Sequence, residues 1–80
     1  MTIRVKLNQA AVLRAIARRN MSQNMLAIRA GLSSGYISQL MCGTRDPSPR
    51  AREKLQSVLN PLTFDDIFII EEIAGDGSGA

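Results

Sequence analysis

The sequence predicts a mainly α-helical fold of four or five short helices, with the two chain ends as candidates for a short antiparallel ribbon. Apolar residues recur at helical spacing in four stretches, each bounded by an N-capping residue and a helix-ending signal. The first residues instead alternate polar and apolar, which is typical of a strand. Eighty residues suffice for one small domain with a modest core.

The first strand and the first helix are predicted at the N-terminus. Residues 2 to 7 alternate, and the apolar positions on their common face are Ile3, Val5 and Leu7. Asn8 is placed to cap a helix over residues 9 to 19. The predicted inward positions of this helix are Leu13, Ile16 and Ala17. Its predicted solvated positions are Arg14, Arg18 and Arg19.

Three further helices follow, each opened by a serine at the N-cap position. Their predicted ranges are 23–30, 34–42 and 49–59, and their caps are Ser22, Ser33 and Ser48. Gly31 and Gly43 end the first two, because glycine readily adopts the left-handed conformation at a helix C-terminus. Pro49 suits the first position of the last helix, where an N–H would have no partner.

The C-terminal segment leaves two interpretations open. Thr63 and Asp66 have the spacing of a capping box, which predicts a single helical turn through Phe68. The apolar residues that follow either form a strand antiparallel to residues 2–7 or continue a helix over 64–71. The strand interpretation agrees with the charges that would then face each other, Arg4 and Lys6 on one strand and Glu71 and Glu72 on the other.

The chain is predicted to form one domain with a short tail. Residues 1–73 contain all of the predicted helices and strands and are expected to form a single domain. Residues 74–80, Ala-Gly-Asp-Gly-Ser-Gly-Ala, have nothing to bury and are expected to be disordered.

Charge is distributed unevenly along the chain. All ten Lys and Arg residues lie between Arg4 and Lys54. The first 60 residues contain only two acids, Asp46 and Glu53, whereas the remainder contains five acids and no base. Such a basic block is typical of proteins that bind polyanions, because each cation near a phosphate releases a condensed counterion. A basic surface that is merely solvated is the alternative.

The residue inventory excludes several classes of function. The chain has no His and only one Cys, Cys42, which excludes an intramolecular disulfide, a Cys/His zinc site and histidine acid–base chemistry. It also lacks a nucleophile–base pair and a phosphate-cradling glycine loop, so we expect neither an enzyme nor a bound cofactor or metal. No apolar run approaches the roughly eighteen residues of a membrane helix, and no secretory signal is recognisable. We therefore expect a cytoplasmic protein without membrane contact.

The most informative pattern is a pair of short helices joined by a three-residue turn that contains Gly31. Ala27 provides the small side chain that two helices crossing at a steep angle require. Apolar contacts across the crossing are predicted from Leu26, Ala30, Leu32, Ile37 and Leu40. The pattern is that of a helix-turn-helix.

With these positions the sequence resembles the phage-repressor (Cro/XRE-like) helix-turn-helix family over about residues 9 to 60. The matching positions are Ser22, Gln23, Leu26, Ala27, Ala30, Gly31, Leu32, Ser33, Tyr36, Ile37, Ser38, Leu40, Gly43, Arg45 and Pro47. The resemblance implies a compact lambda-repressor-like domain of four or five helices. It also implies a homodimer that binds a pseudo-palindromic operator in double-stranded DNA and regulates transcription, as a repressor.

Within this pattern, the helix over 34–42 is the one expected to enter the major groove, because the exposed N-terminal end of such a helix reaches base edges. The candidate base contacts are Ser34, Gly35, Ser38 and Gln39. Gln39 is the best candidate, since its amide can donate to and accept from adenine simultaneously. The small Ser34 and Gly35 leave part of the specificity to thymine methyl groups, water or DNA shape.

Contacts to the DNA backbone are expected on both sides of that helix. Free N–H groups and the helix dipole at the start of the helix over 23–30 attract a phosphate. The candidate phosphate contacts are Gln23, Asn24, Ser33, Tyr36, Thr44, Arg45 and Arg50. Arg50 and Arg52 lie in the first turn of a helix, where the dipole disfavours cations, so a neighbouring phosphate would explain their presence. For Tyr36, the alternative is a ring packed at the core edge with only its hydroxyl exposed.

Met25 and Ile28 form an apolar pair on a helix face that is polar in proteins of the resembled family. We expect the terminal ribbon to cover this pair or to join two subunits, and isolated surface apolar residues are the alternative. The pair also keeps open a second function, a protein-interaction or antitoxin-like module built on the same scaffold.

Overall fold

The computed structural model describes residues 2 to 73, which form five helices and one two-stranded sheet. In chain order the elements are β1 (Thr2–Leu7), α1 (Gln9–Arg18), α2 (Gln23–Ala30), α3 (Ser34–Cys42), α4 (Pro49–Val58), α5 (Phe64–Ile67) and β2 (Phe68–Ile73). The predicted mainly helical fold with a ribbon formed by its terminal segments is confirmed. The predicted disorder of residues 74–80 lies outside the described residues.

The helix boundaries follow from local capping, as the sequence predicts. The side chains of Asn8, Ser22, Ser33 and Ser48 each accept a hydrogen bond of 3.0 to 3.2 Å from the N–H three residues later. Gly31 (φ +70°) and Gly43 (φ +82°) end α2 and α3 in the left-handed conformation. Three helices end one residue earlier than predicted, at Arg18, Val58 and Ile67.

Helix α1 buries a different stripe from the predicted one. Val12, Ala15 and Ile16 are buried, whereas Leu13 is 44% exposed and Ala17 is also exposed. The predicted inward positions of Leu13 and Ala17 are therefore wrong. Both stripes have the spacing of an amphipathic helix, so periodicity alone does not select between them. The packing of α1 against α2 and α5 selects the rotation.

The core is built around the helix pair α2 and α3, with α4 packed against α2. Ala27 is buried, as are four of the five residues predicted to pack across the crossing, Leu26, Ala30, Ile37 and Leu40. Leu32 is only half-buried and packs against the same cluster. The helix-turn-helix pattern thus corresponds to two consecutive helices in contact, with the predicted apolar residues between them.

The terminal strands pair antiparallel, with Thr2 opposite Ile73 and Leu7 opposite Phe68. The strand interpretation is confirmed, and the alternative helix over 64–71 is wrong because α5 ends at Ile67. The carboxylate of Asp66 accepts hydrogen bonds from the N–H and hydroxyl of Thr63, at 2.9 and 3.0 Å, which confirms the capping box.

The ribbon is anchored in the core at one end only. Leu7 and Phe68 are buried, and the Asn8 N–H donates to the Ile67 carbonyl at 2.8 Å where the two strands begin to separate. Towards the other end of the ribbon, Ile3 is 59% exposed and Ile70 is 52% exposed.

The predicted charge pairs across the ribbon form only in part. In register, Arg4 faces Glu71, Lys6 faces Ile69 and Ile3 faces Glu72. Lys6 Nζ lies 3.8 Å from the carboxylate of Glu71, whereas the Arg4 guanidinium pairs with Asp46. The predicted role of Glu72 is wrong. Burial of Leu7 and Phe68 sets the register, because exposed ion pairs contribute only a few tenths of a kcal/mol.

Two further surface predictions need correction. Met25 and Ile28 are 40% and 64% exposed, so the ribbon does not cover them within the monomer. Arg19 is not a purely solvated side chain, since its guanidinium donates to the carbonyls of Ala15, Leu59 and Asn60 at 3.0 to 3.2 Å. It thereby connects the end of α1 to the end of α4. Between residues 2 and 73, no helix has the length and apolar character needed to cross a membrane.

Candidate nucleic-acid interface

Helix α3 has one buried face and one exposed face. Ile37, Leu40 and Met41 point into the core. The exposed residues are Ser34, Gly35, Ser38, Gln39 and Cys42. All four candidate base contacts therefore lie on one helix face, as two pairs with i, i+4 spacing. Apart from Gly35, its chain neighbours and the adjacent backbone of α3, no heavy atom of the described residues lies within 4 Å of the position that a Cβ on Gly35 would take. This part of the helix surface is therefore open to an incoming molecule.

A groove of about 460 Å³ lies between the α2–α3 turn and the first turns of α4. We call it the basic groove, because three cations, Arg45, Arg50 and Lys54, line it together with the polar residues Ser33, Tyr36 and Ser48. Within the described part of the chain, no acidic residue lines it. The basic groove adjoins α3, since Ser33 caps this helix and Tyr36 lies in its first turn.

Tyr36 organises one wall of the basic groove. Its ring packs against the core, and its hydroxyl oxygen accepts a hydrogen bond of 3.1 Å from the Ser48 N–H at the start of α4. The guanidinium carbon of Arg45 lies 5.6 Å from the centroid of the ring, within the range of a cation–π contact. The ring of Tyr36 thus packs at the core edge, which was the alternative to a phosphate contact, and the side chain also lines the basic groove.

The α3–α4 loop, residues 43–48, is held by several contacts although it has no regular secondary structure. The N–H and hydroxyl of Thr44 both donate to the Gln39 carbonyl, at 3.1 and 3.3 Å. Pro47 is buried. Asp46 accepts two hydrogen bonds from Arg4 of β1, at 2.9 and 3.1 Å. These contacts fix the backbone that carries Arg45.

The predicted phosphate contacts fall into separate groups. Four of them, Ser33, Tyr36, Arg45 and Arg50, line the basic groove. Gln23 and Asn24 lie instead in the first turn of α2, half-buried and exposed respectively, and Thr44 is exposed in the α3–α4 loop. The half-buried Arg52 does not line the groove.

Two groove residues, Lys54 and Ser48, were missed as candidate contacts. Lys54 follows Arg50 by four residues, so both cations lie on one face of α4. This spacing was a signal available in the sequence. The groove role of Ser48 had no such signal, because the hydrogen bond that its hydroxyl oxygen accepts from the Ala51 N–H already explains a serine at this N-cap position.

Asp46, next to Arg45 in the chain, is the acidic residue of the α3–α4 loop, and its charge is paired. Hydrogen bonds from the Arg4 guanidinium hold the pKa of the Asp46 carboxyl below its ordinary value of 3.8, and the same contact raises the pKa of Arg4. Asp46 is therefore ionised and paired at neutral pH. The candidate base contacts carry no charge, so the positive potential of the site comes from the cations of the basic groove.

Comparison with known protein families, with characterised proteins and with solved structures finds no match for this chain. The likeness to the Cro/XRE-like family therefore rests on the residue pattern itself. Within residues 2 to 73, no three His, Cys, Asp or Glu side chains are grouped as they would be around a metal ion.

Proposed function

We propose that this protein binds double-stranded DNA sequence-specifically and regulates transcription, as a repressor, through a lambda-repressor-like helix-turn-helix formed by α2 and α3. One observation carries the proposal: the exposed face of α3, which bears Ser34, Gly35, Ser38 and Gln39, adjoins the basic groove. Recognition of a duplex requires both features, because base edges are read by a helix in the major groove while cations hold the backbone.

Helix α3 contacts the bases, and the basic groove contacts the DNA backbone. Nine residues give α3 a length of about 13 Å at the ordinary rise, enough to lie in the major groove and contact a few base pairs. Gln39 reads a base directly, most favourably adenine. Arg45, Arg50 and Lys54 bind backbone phosphates beside the helix, and the N-terminus of α2, with Gln23 and Asn24, binds another.

We further propose that the protein acts as a homodimer on a pseudo-palindromic operator. Two recognition helices would then occupy half-sites with centres about 34 to 36 Å apart, one turn of B-DNA. The ribbon stays the predicted meeting point of the subunits, because Ile3 and Ile70 remain exposed on it. Occupation of a promoter by such a dimer would exclude the transcription machinery.

Titration of a labelled duplex at several salt concentrations tests the proposal. Binding should weaken with salt, with log K falling by about 0.9 per decade of salt for each phosphate neutralised. Selection from genomic fragments should return an inverted repeat. A titration without salt-dependent binding, or selection without any common sequence, would contradict the proposal.

Two substitutions separate base reading from phosphate binding. Gln39→Ala should relax the preference at one base pair by about 1 to 3 kcal/mol, whereas Arg45→Ala should weaken binding to all sequences alike. Arg14→Ala on α1 is the matched control, because it removes a charge outside the basic groove. The opposite pattern for Gln39 and Arg45 would overturn the assigned roles.

A second candidate function is a protein-interaction or antitoxin-like module, favoured by the exposure of Met25 and Ile28. Ile28→Lys distinguishes the two functions, since a DNA-binding protein should retain its duplex affinity and an interaction module should lose its partner. The basic groove favours the DNA-binding function, because an apolar partner on α2 makes no use of it.

A further inference from the structure

Arg4 connects the N-terminal strand to the loop that carries Arg45. Its guanidinium donates from Nε and from a terminal nitrogen to the two carboxylate oxygens of Asp46, at 2.9 and 3.1 Å, across 42 residues of chain. This two-point geometry fixes orientation as well as distance. In the ribbon register Arg4 lies opposite Glu71, yet it pairs with Asp46.

The pairing of Arg4 with Asp46 affects anion binding because Asp46 lies beside a cation of the basic groove in the chain. Asp46 directly follows Arg45, and it is one of only two acids among the first 60 residues. An unpaired carboxylate on the residue next to Arg45 would repel an approaching phosphate, because salt at 0.1 M screens charges only beyond about 10 Å. The Arg4 guanidinium cancels that charge.

The contact also restrains the loop mechanically. At one end of the α3–α4 loop Thr44 is bonded to Gln39, and at the other end Ser48 is bonded to Tyr36. Between these anchors, Asp46 has the only side chain that is hydrogen-bonded or ion-paired to β1 among the described residues. Arg4 therefore holds the segment of backbone from which Arg45 reaches the ring of Tyr36.

We propose that Arg4 is a positioning residue of the DNA-binding site: it contacts no DNA, but it neutralises Asp46 and holds the α3–α4 loop so that Arg45 is available to a phosphate. The inference rests on the proposed function. It assigns to the N-terminal strand a part in binding that the helix-turn-helix itself does not require.

Four variants of the full chain test this role by titration of labelled duplex at low salt. Arg4→Gln and Arg14→Gln each remove one positive charge, but of these two arginines only Arg4 is ion-paired to an acid of residues 2–73. We expect Arg4→Gln to weaken binding at least about threefold more than Arg14→Gln does, because it also exposes the Asp46 charge. Asp46→Asn also frees the loop from Arg4 but leaves no carboxylate exposed, so it should bind more tightly than Arg4→Gln does. The double variant Arg4→Gln with Asp46→Asn should recover the part of the affinity that Arg4→Gln loses to the exposed carboxylate, and it should stay weaker than the unaltered protein because the loop is not held.

The possible outcomes distinguish a positioning role of Arg4 from an effect of net charge and from direct contact with DNA. Equal effects of Arg4→Gln and Arg14→Gln would show that only net charge matters and would overturn the proposal. A double variant as weak as Arg4→Gln alone would also overturn it, because Arg4 would then act on DNA directly or through the fold. Arg4→Lys keeps the charge without the two-point contact, so it should bind more weakly than the unaltered protein. This comparison holds even if Arg4→Gln is too unstable to assay.

The same experiment keeps the two proposals apart. If the unaltered protein does not bind duplex, the proposed function fails and the role of Arg4 fails with it. If the unaltered protein binds and Arg4→Gln behaves as Arg14→Gln does, only the role of Arg4 fails. Thermal melting of each variant, followed by circular dichroism, confirms that the titrations compare folded proteins.

Discussion

Tyr36 joins three parts of the molecule through one side chain. Its ring packs at the edge of the core, and Arg45 lies over the face of the ring. Its hydroxyl oxygen accepts a hydrogen bond from the N–H of Ser48, the N-cap residue of α4. A leucine would supply the packing but neither polar contact. The residue therefore relates the start of α3 to the start of α4, the two helix ends that border the basic groove.

For this side chain we predict that Tyr36→Phe lowers the free energy of unfolding by about 0.5 to 1 kcal/mol, because the Ser48 N–H loses its acceptor while the ring remains. Urea unfolding followed by circular dichroism measures the change. Ser57→Ala is the control, since it removes an exposed hydroxyl from α4. A larger loss for Ser57→Ala than for Tyr36→Phe would contradict this reading of the hydroxyl.

Among the elements, the ribbon depends most on the rest of the fold. A two-stranded sheet is marginally stable in water by itself, so β1 and β2 require the core for support. That support comes at one end, where Leu7 and Phe68 are buried and the Phe68 ring lies 5.0 Å from that of Phe64. The four-residue helix α5 places Phe68 there, and its Thr63–Asp66 cap begins the turn.

Two alanine substitutions in β2 should therefore differ sharply. Phe68→Ala leaves a cavity in the core and should cost about 3 to 5 kcal/mol, a large part of the stability of a domain of this size. Ile70→Ala, two residues along the same strand face, should cost less than about 1 kcal/mol in the monomer, because its side chain is half exposed. Unfolding midpoints in urea at low protein concentration provide the comparison. Similar costs would mean that the ribbon is not anchored where we describe.

On the scale of the whole molecule, two carboxylates at the surface stabilise the folded state. The Arg4 guanidinium lowers the pKa of Asp46, and the Thr63 N–H and hydroxyl lower the pKa of Asp66, both from an ordinary value of 3.8. A carboxyl whose pKa is lower in the folded state stabilises that state above its unfolded pKa. The contribution is then lost as the pH falls from 3.8 towards the lowered value.

Both groups are fully ionised near neutral pH, so we predict that their titration leaves the unfolding midpoint unchanged there and lowers it below about pH 4. Melting temperatures measured between about pH 7 and pH 3 test this. The double variant Asp46→Asn with Asp66→Asn should be less stable at neutral pH and should show a shallower acid decline. An equally steep decline in that variant would show that other acids govern the acid response.

Local chemistry in the sequence determined the helices and the candidate site residues. A serine or asparagine cap and a C-terminal glycine act within one helical turn, so their positions predicted the starts of α1 to α4 and the ends of α2 and α3. The paired apolar stripes of residues 23 to 40 likewise predicted which side of α3 is buried and thus which side is exposed. Both depend on residues close together in the chain.

Contacts between distant residues were decided only by the tertiary structure. The rotation of α1 was ambiguous because two apolar stripes overlap, and the pairing of Arg4 with Asp46 joins residues 42 positions apart. The basic groove likewise combines the α2–α3 turn with α4. Caps and periodicity act over a few residues, whereas these features depend on how completed elements pack, which no local pattern specifies.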